Sequence, residues 1–183
     1  HRGVAPAMIR PPRIALLTVS DGVHAGARED RSGARMKAWV DARGFDLAET
    51  AVVPDETAEI VSRLVEWSDA GGVDCILTSG GTGLAPRDVT PEATLAALER
   101  EAPGIAEALR TAGRASTPFA ALGRGIAGVR GATLIVNLPG NPDAVSEGIE
   151  VLDPLIEHAV RLLRGDTEHP GGAPPDPTEP EGD

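Results

Sequence analysis

The residues best suited to chemistry in this 183-residue chain are glycines and aspartates placed at abrupt breaks in apolar runs. The densest group is Gly80-Gly81-Thr82-Gly83, with Arg87 and Asp88 close behind it. Glycines let a backbone approach a phosphate, and their N–H groups supply donors. Arg87 would neutralise phosphate charge, and Asp88 would offer a hard oxygen to Mg2+. The loop has no Gly-Lys-Ser/Thr ending, so it is not a Walker A loop, and it does not meet Gly-x-Gly-x-x-Gly. On spacing alone it stays open between an anion site and a plain turn. Two further aspartates lie in similar settings: Asp21 in Ser20-Asp21-Gly22 and Asp55 in Pro54-Asp55-Glu56-Thr57. For Asp21 the alternative is an ordinary Asp-Gly turn. For Asp55, or Thr57, it is a helix cap.

The elements that must carry these residues alternate. Arg13–Val19 is an apolar run of the kind buried on both faces of a parallel sheet. The polar stretch His24–Gly33 has the composition of a mobile lid. A helix is expected from about Ala34 to Arg43, stopped by Gly44, with Met36, Trp39 and Val40 inward. Phe45–Val53 holds a second strand. Ile60, Val61, Leu64 and Val65 then mark a helix that closes at Gly71-Gly72, with Trp67 near its end. Val73–Leu77 is the third apolar run. Thr90-Pro91-Glu92 reads as a helix start, with Thr90 as cap and Pro91 at the first helical position. Strand, helix, strand, helix, strand, helix with right-handed crossovers gives a parallel sheet with helices on both faces. Asp21, Asp55 and Asp88 each follow a strand, so this topology gathers all three at one sheet edge.

Downstream, the helix from Pro91 should stop before Pro103, and Gly104–Arg114 should form another. Ser116–Ala121 is expected to be a connection. Gly125–Leu138 reads as two strands about Arg130-Gly131, so one strand must run against the others in a mixed sheet. Leu138-Pro-Gly-Asn-Pro142 is a sharp turn, with Asn141 capping the last helix. Pro154 should kink that helix or restart it with Asp153 as the new cap. The fold class is therefore α/β, a three-layer α/β/α arrangement with one antiparallel strand. The expected division is a flexible tail at 1–12, one domain at 13–164, and a disordered Pro/Gly-rich acidic tail at 165–183.

Composition narrows the function. The net charge is −11, which argues against nucleic acid as the main partner. Six of the 28 acidic residues lie beyond Gly165, so much of the acidity belongs to the tail. Aromatic residues make up only 2%, so the core must be aliphatic. No apolar run is long enough to span a bilayer and no signal-peptide pattern is present, so a cytoplasmic protein is expected. Cys75, the single cysteine, lies inside an apolar strand and reads as a buried thiol.

The stretch Thr78-Ser-Gly-Gly-Thr-Gly-Leu-Ala-Pro-Arg-Asp-Val-Thr-Pro-Glu-Ala-Thr94 resembles the signature of the MogA/MoaB-type proteins of molybdenum-cofactor biosynthesis. The G domain of the plant cofactor-insertion protein shares it. The similarity runs from about Ile14 to Gly165. It includes Ile14–Asp21, Ala25-Gly26, Asp30–Gly33, Ala51–Glu56 and Gly128–Pro142. Gly113 departs from it, standing where some relatives have a serine near the pterin. The resemblance implies a molybdopterin adenylyltransferase. Such an enzyme joins the terminal phosphate of molybdopterin to the AMP part of ATP with Mg2+ and releases pyrophosphate. Asp55 and Asp88 match the family's two functionally important aspartates and would hold the Mg2+. Ser20, Asp21, Thr78, Gly80, Gly81, Thr82, Gly83, Arg87, Asn137, Pro139 and Gly140 fall on or beside nucleotide- and pterin-binding segments. The resemblance also implies a homotrimer that passes its product to a downstream molybdenum-insertion protein. Two alternatives stay open: a non-catalytic molybdopterin carrier on the same fold, and a CinA-type nucleotide-cleaving enzyme.

Overall fold

The computed structural model describes residues 10–166. Six strands form one sheet in the order β2-β1-β3-β6-β5-β4. They are β1 (Arg13–Val19), β2 (Asp46–Val53), β3 (Cys75–Ser79), β4 (Arg100–Glu101), β5 (Ala127–Arg130) and β6 (Thr133–Leu138). β2, β1, β3 and β6 pair in parallel, while β5 runs against both β6 and β4. The β5–β6 hairpin turns at Gly131, whose φ of +56° suits glycine. The mixed sheet expected from sequence is therefore present. The two-residue edge strand β4 was not expected, because two exposed charged residues carry no hydrophobic alternation.

The α-helices are α1 (Asp21–His24), α2 (Arg31–Arg43), α3 (Thr57–Asp69), α4 (Thr90–Ala97), α5 (Pro103–Arg114) and α6 (Pro142–Leu163), with a 3-10 turn at Pro118–Leu122. Alternation along the central strands sorts the core onto two faces. Ile14, Leu16, Cys75, Leu77 and Val136 meet Met36 and Val40 of α2 and Val145, Ile149 and Leu152 of α6. Ala15, Leu17, Ile76 and Ile135 meet Ile60, Leu64 and Trp67 of α3 and Ala93 and Ala97 of α4. Central strands buried on both sides explain the continuous apolar runs. Burial raises the Cys75 thiol far above its ordinary range, with the Asp74 charge adding to the effect.

Several local expectations are corrected. Asp21–His24 is a short helical turn rather than a plain Asp-Gly turn, because the Ser20 side chain accepts from the Val23 N–H. α2 begins at Arg31, since Asp30 accepts from the Gly33 N–H at 2.8 Å. Neither Asp55 nor Thr57 caps α3, whose N-cap Glu56 makes no side-chain cap hydrogen bond. Thr90 is not a cap but the first residue of α4, and its hydroxyl donates to the Gly80 carbonyl at 2.9 Å. α6 runs through Pro154 without restarting. Asp153 accepts from Trp39 Nε1 at 2.7 Å and pairs with Arg43 of α2. That tertiary anchor occupies the carboxylate that a new cap would use.

The chain ends of the domain are tied together by Asp74, which is 6% exposed. It accepts from the Arg13 N–H at 2.8 Å and from Arg164 Nη2 at 2.6 Å, and Arg10 lies 3.6 Å away. Arg164 also donates to the carbonyls of Arg10 and Pro11, so residues 10–12 are fastened to the body and are not part of a free tail. The rest of the two expected tails, residues 1–9 and 167–183, lies outside the described residues. Burial works to raise the Asp74 carboxyl, but Arg164, the Arg13 N–H and Arg10 together hold it below the usual carboxylate value. Its stabilising effect is therefore full above the unfolded-state pKa and is lost as pH falls through the lower folded value. Asp74→Asn should cost on the order of 2 kcal/mol at neutral pH. It should also flatten the loss of stability below about pH 4, where an unperturbed aspartate protonates, as read by urea denaturation across pH.

Candidate active site

The carboxyl ends of β1, β2, β3 and β6 lie at one edge, and the loops that leave them build the site. Asp21 and Asp55 bind each other's backbone reciprocally. The Asp21 N–H donates to Asp55 Oδ2 at 2.8 Å, and the Asp55 N–H donates to Asp21 Oδ1 at 3.0 Å. Arg87 straps the third loop onto these two, with bonds of 2.6 and 3.1 Å to Asp21 and 2.8 Å to Glu56. The three aspartate loops are thus drawn together, as their topology requires. Asp21, however, is held by Arg87 and so serves as a joint. Arg87 hydrogen bonding, with the Asp55 N–H, keeps its carboxyl below the usual range. Asp55 is shifted the other way. Burial raises it most, and the neighbouring charges of Asp21 and Asp88 add to this against the Asp21 N–H.

The glycine loop is set by close backbone approach. Gly80 has φ +93°, and a Cβ there would lie 2.2 Å from the Val19 carbonyl oxygen. Gly81 has φ +68°, and its Cβ would lie 2.2 Å from Thr90 Oγ1 and 3.1 Å from Asp55 Oδ1. The loop's carbonyls are held from outside: Arg124 donates from Nε to Gly83 O at 2.8 Å and from Nη2 to Asp88 O at 2.7 Å, and it pairs with Glu92. Its own N–H donates to Thr82 O at 2.8 Å. By contrast, the N–H groups of Gly81, Thr82 and Gly83 donate to no acceptor among the described residues. Three consecutive uncommitted donors beside a helix N-terminus are the groups an anion cradle requires. The Asp88 carboxylate accepts from the Ala85 N–H at 3.0 Å, which fixes it at the end of the loop.

Two cavities meet here. The first, of about 500 Å3, is polar and is lined by Ser20, Arg28, Arg31, Asp55, Ser79 and Gly80 among others. The second, of about 470 Å3, is more apolar, with Thr82, Gly83, Leu109, Phe119, Leu122, Asn137 and Pro139 in its wall. Gly81, Asp88, Gly140 and Asn141 line both. Gly140 is confined: a Cβ would come within 3.3 Å of Gly80 Cα. Asn141 caps α6 through bonds to the Asp143 and Ala144 N–H groups.

The expected site residues divide accordingly. Ser20, Asp55, Gly80, Gly81, Thr82, Gly83, Asp88, Asn137, Pro139 and Gly140 line one or both cavities. Asp21, Thr78 and Arg87 line neither. Thr78 is fully buried and accepts from Asn137 Nδ2 at 3.0 Å, so it orients the asparagine. Asn137 also donates to Thr94 and accepts from the Ile126 N–H, which joins β6, α4 and the segment before β5. Arg28 and Arg31 in the polar cavity and Arg124 behind the glycine loop also belong to the site, without a sequence motif that marks them. Arg124 lies far along the chain from the loop it braces, so no local pattern could reveal it. Arg28 and Arg31 were visible only as charges in a polar stretch.

Among the described residues no three His, Cys, Asp or Glu side chains cluster to hold a metal ion alone. Magnesium ordinarily takes one or two carboxylates and completes its shell with phosphates and water. Asp55 and Asp88 fit that chemistry: they come from separate loops and line one cavity, and the Asp88 charge raises the cost of ionising Asp55. No helix of the described residues is long and apolar enough to cross a membrane.

An open α/β sheet with a glycine loop and the carboxylates of Asp55 and Asp88 at its carboxyl edge has groups suited to a phosphate and its cation. Residues 15–158 match the model of the probable molybdopterin binding domain. A molybdopterin adenylyltransferase of Haemophilus influenzae is 41% identical over 140 residues, covering 75% of this chain and 71% of that one. A molybdenum cofactor biosynthesis bifunctional protein of Chlorobaculum tepidum is 39% identical over 155 residues, 85% of this chain. The chain spans only 49% of that relative's length. The crystal structure of the molybdopterin biosynthesis enzyme MoaB of Thermus thermophilus superposes with TM-score 0.79 at 48% identity, covering 84% of this chain and 96% of that one. The chain belongs to this molybdopterin-binding family of molybdenum-cofactor biosynthesis proteins, with the MogA/MoaB fold.

Proposed function

We propose that this chain is a molybdopterin adenylyltransferase, joining the terminal phosphate of molybdopterin to the AMP part of ATP. The observation that carries the reading is the meeting of two cavities of similar size at Gly81, Asp88, Gly140 and Asn141. Two substrates that must be joined through a phosphate need such a junction, with donors for the oxygens and carboxylates for a cation. A relative named for this activity, at 41% identity, supports it.

In this reaction an oxygen of the pterin phosphate forms a bond to the α-phosphorus of ATP. The bond from that phosphorus to the bridging oxygen of pyrophosphate breaks, and the electron pair leaves with pyrophosphate. The nucleophile is already anionic near neutral pH, so the site needs no strong general base. The difficulty is bringing two polyanions together, and positioning with charge neutralisation meets it. The N–H groups of Gly81, Thr82 and Gly83 would hold phosphate oxygens without reorganising. Asp55 and Asp88 would hold Mg2+, which supplies charge neutralisation when bound. Arg87 acts at one remove, by keeping the loops that bear Asp55 and Asp88 in register. Assembly as a homotrimer and transfer of the product to a molybdenum-insertion partner belong to the same reading, as does a cytoplasmic location.

Purified protein with molybdopterin, ATP and Mg2+ should yield adenylylated molybdopterin and pyrophosphate in equal amounts. Tight molybdopterin binding with neither product formed would replace this reading with that of a carrier.

A further inference from the structure

Ser79, the last residue of β3, is 1% exposed, and its hydroxyl has no hydrogen-bond partner. A buried hydroxyl left unpaired is costly, so its position calls for an explanation. Ser79 lines the polar cavity. The alternation of β3 puts it on the same sheet face as Cys75 and Leu77, the face covered by α2 and α6. It therefore lies beneath the N-terminal ends of both helices. Those ends are joined there by Ser32 Oγ, which donates to the Gly140 carbonyl at 2.7 Å.

Glu29, Asp30, Asp55 and Asp88 also line this cavity, and with Asp55 and Asp88 assigned to the cation, it is the end at Ser79 that favours an anion. Two helix N-termini converge on this end of the cavity, and their dipoles add positive potential. Arg28 and Arg31 line the same cavity and form no salt bridge among the described residues. The one hydrogen bond of the Arg28 side chain is a long one to Ser20 Oγ, at 3.4 Å. The nearby Asp30 carboxylate is already committed: Oδ1 accepts from the Gly33 N–H at 2.8 Å and Oδ2 from the Thr18 hydroxyl at 2.6 Å. Of the hydroxyls in this wall, those of Thr18, Ser20 and Ser32 all have partners, whereas that of Ser79 has none.

We propose that the Ser79 hydroxyl is the floor of a phosphoryl-binding subsite in the polar cavity, donating to a phosphate oxygen that Arg28 and Arg31 neutralise from the rim. The inference rests on the adenylyltransferase reading and names a part of its site. The phosphoryl group comes either from the β- and γ-phosphates of the nucleotide or from the phosphate monoester of the pterin.

The test compares wild type with Ser79→Ala by calorimetric titration with inorganic pyrophosphate, a non-hydrolysable α,β-methylene ATP analogue and molybdopterin. Turnover and thermal midpoint are recorded alongside. A hydrogen bond to a charged group predicts at least ~10-fold weaker binding of the ligand concerned. The thermal midpoint should hold or rise, because the substitution removes an unpaired hydroxyl. Weakened pyrophosphate and analogue binding assigns the subsite to the nucleotide, and weakened molybdopterin binding alone assigns it to the pterin. Unchanged affinities in an active protein overturn the Ser79 role only, and a lowered midpoint with unchanged affinities does so by revealing a structural serine. A wild type that neither binds these ligands nor turns over overturns the adenylyltransferase reading, and the subsite with it.

Discussion

Asp55→Asn should lower adenylyl transfer by roughly 10²–10³-fold, the scale seen when one preorganised electrostatic contact is lost, while the protein stays folded. The amide oxygen can still accept the Asp21 N–H, so the reciprocal loop bond of 2.8 Å survives. Only the negative charge is removed. That charge is opposed in the free protein by burial and by Asp21 and Asp88, which together raise the Asp55 carboxyl. A carboxyl raised on folding weakens the fold once ionised, at pH values above its folded pKa. Asp55→Asn should therefore leave the thermal midpoint at neutral pH equal or higher. Loss of activity with no loss of stability would mark a residue kept for function at the expense of stability. The wild-type rate should fall on acidification through the raised Asp55 value, above the pH at which an unperturbed aspartate protonates. More Mg2+ should move this limb to lower pH, since cation and proton compete for one carboxylate. A full rate in Asp55→Asn at limiting Mg2+ would remove the residue from the site.

Gly80→Ala should be the most damaging single methyl group in the loop. Its Cβ would lie 2.2 Å from the Val19 carbonyl oxygen, and φ is +93°. The atom it meets is backbone at the end of the buried strand β1, not the mobile tip of a side chain, so it cannot move aside cheaply. Relief requires separating β1 from β3 or turning the glycine loop, which carries the uncommitted N–H groups. A cost on the order of 3 kcal/mol is expected from strain and clash together, with loss of nucleotide binding. Gly44→Ala is the control. It too has positive φ, +66°, but nothing lies within 4 Å of its Cβ. It should cost only about 1 kcal/mol, the left-handed penalty alone. Urea denaturation of the two variants separates these costs, and equal losses would refute the close-contact argument.

The parallel core was legible because its strands are buried on both faces, which leaves continuous apolar runs separated by helical periodicity. Alternation of strand and helix then fixed, by crossover handedness, which loop ends share an edge. Asp21, Asp55, Asp88 and the glycine loop were gathered that way, since each follows a strand, and the family resemblance singled out Asp55 and Asp88. Element starts were less legible, because several side chains can cap and only one does. Asp30 starts α2 because Thr18 and Gly33 both engage it, whereas Asp55 is withdrawn from capping by Asp21. Pro154 looked like a break, but anchorage of Asp153 to Trp39 and Arg43 left α6 continuous. Sequence alone determined which residue types stand after each strand, and so the kind of chemistry this protein can hold. Tertiary structure decided their roles: Asp21 and Arg87 became joints, Thr78 a support, Arg124 a brace and Ser79 an unpaired donor. Those assignments rest on contacts between residues far apart in the chain, and such contacts leave no periodicity to read.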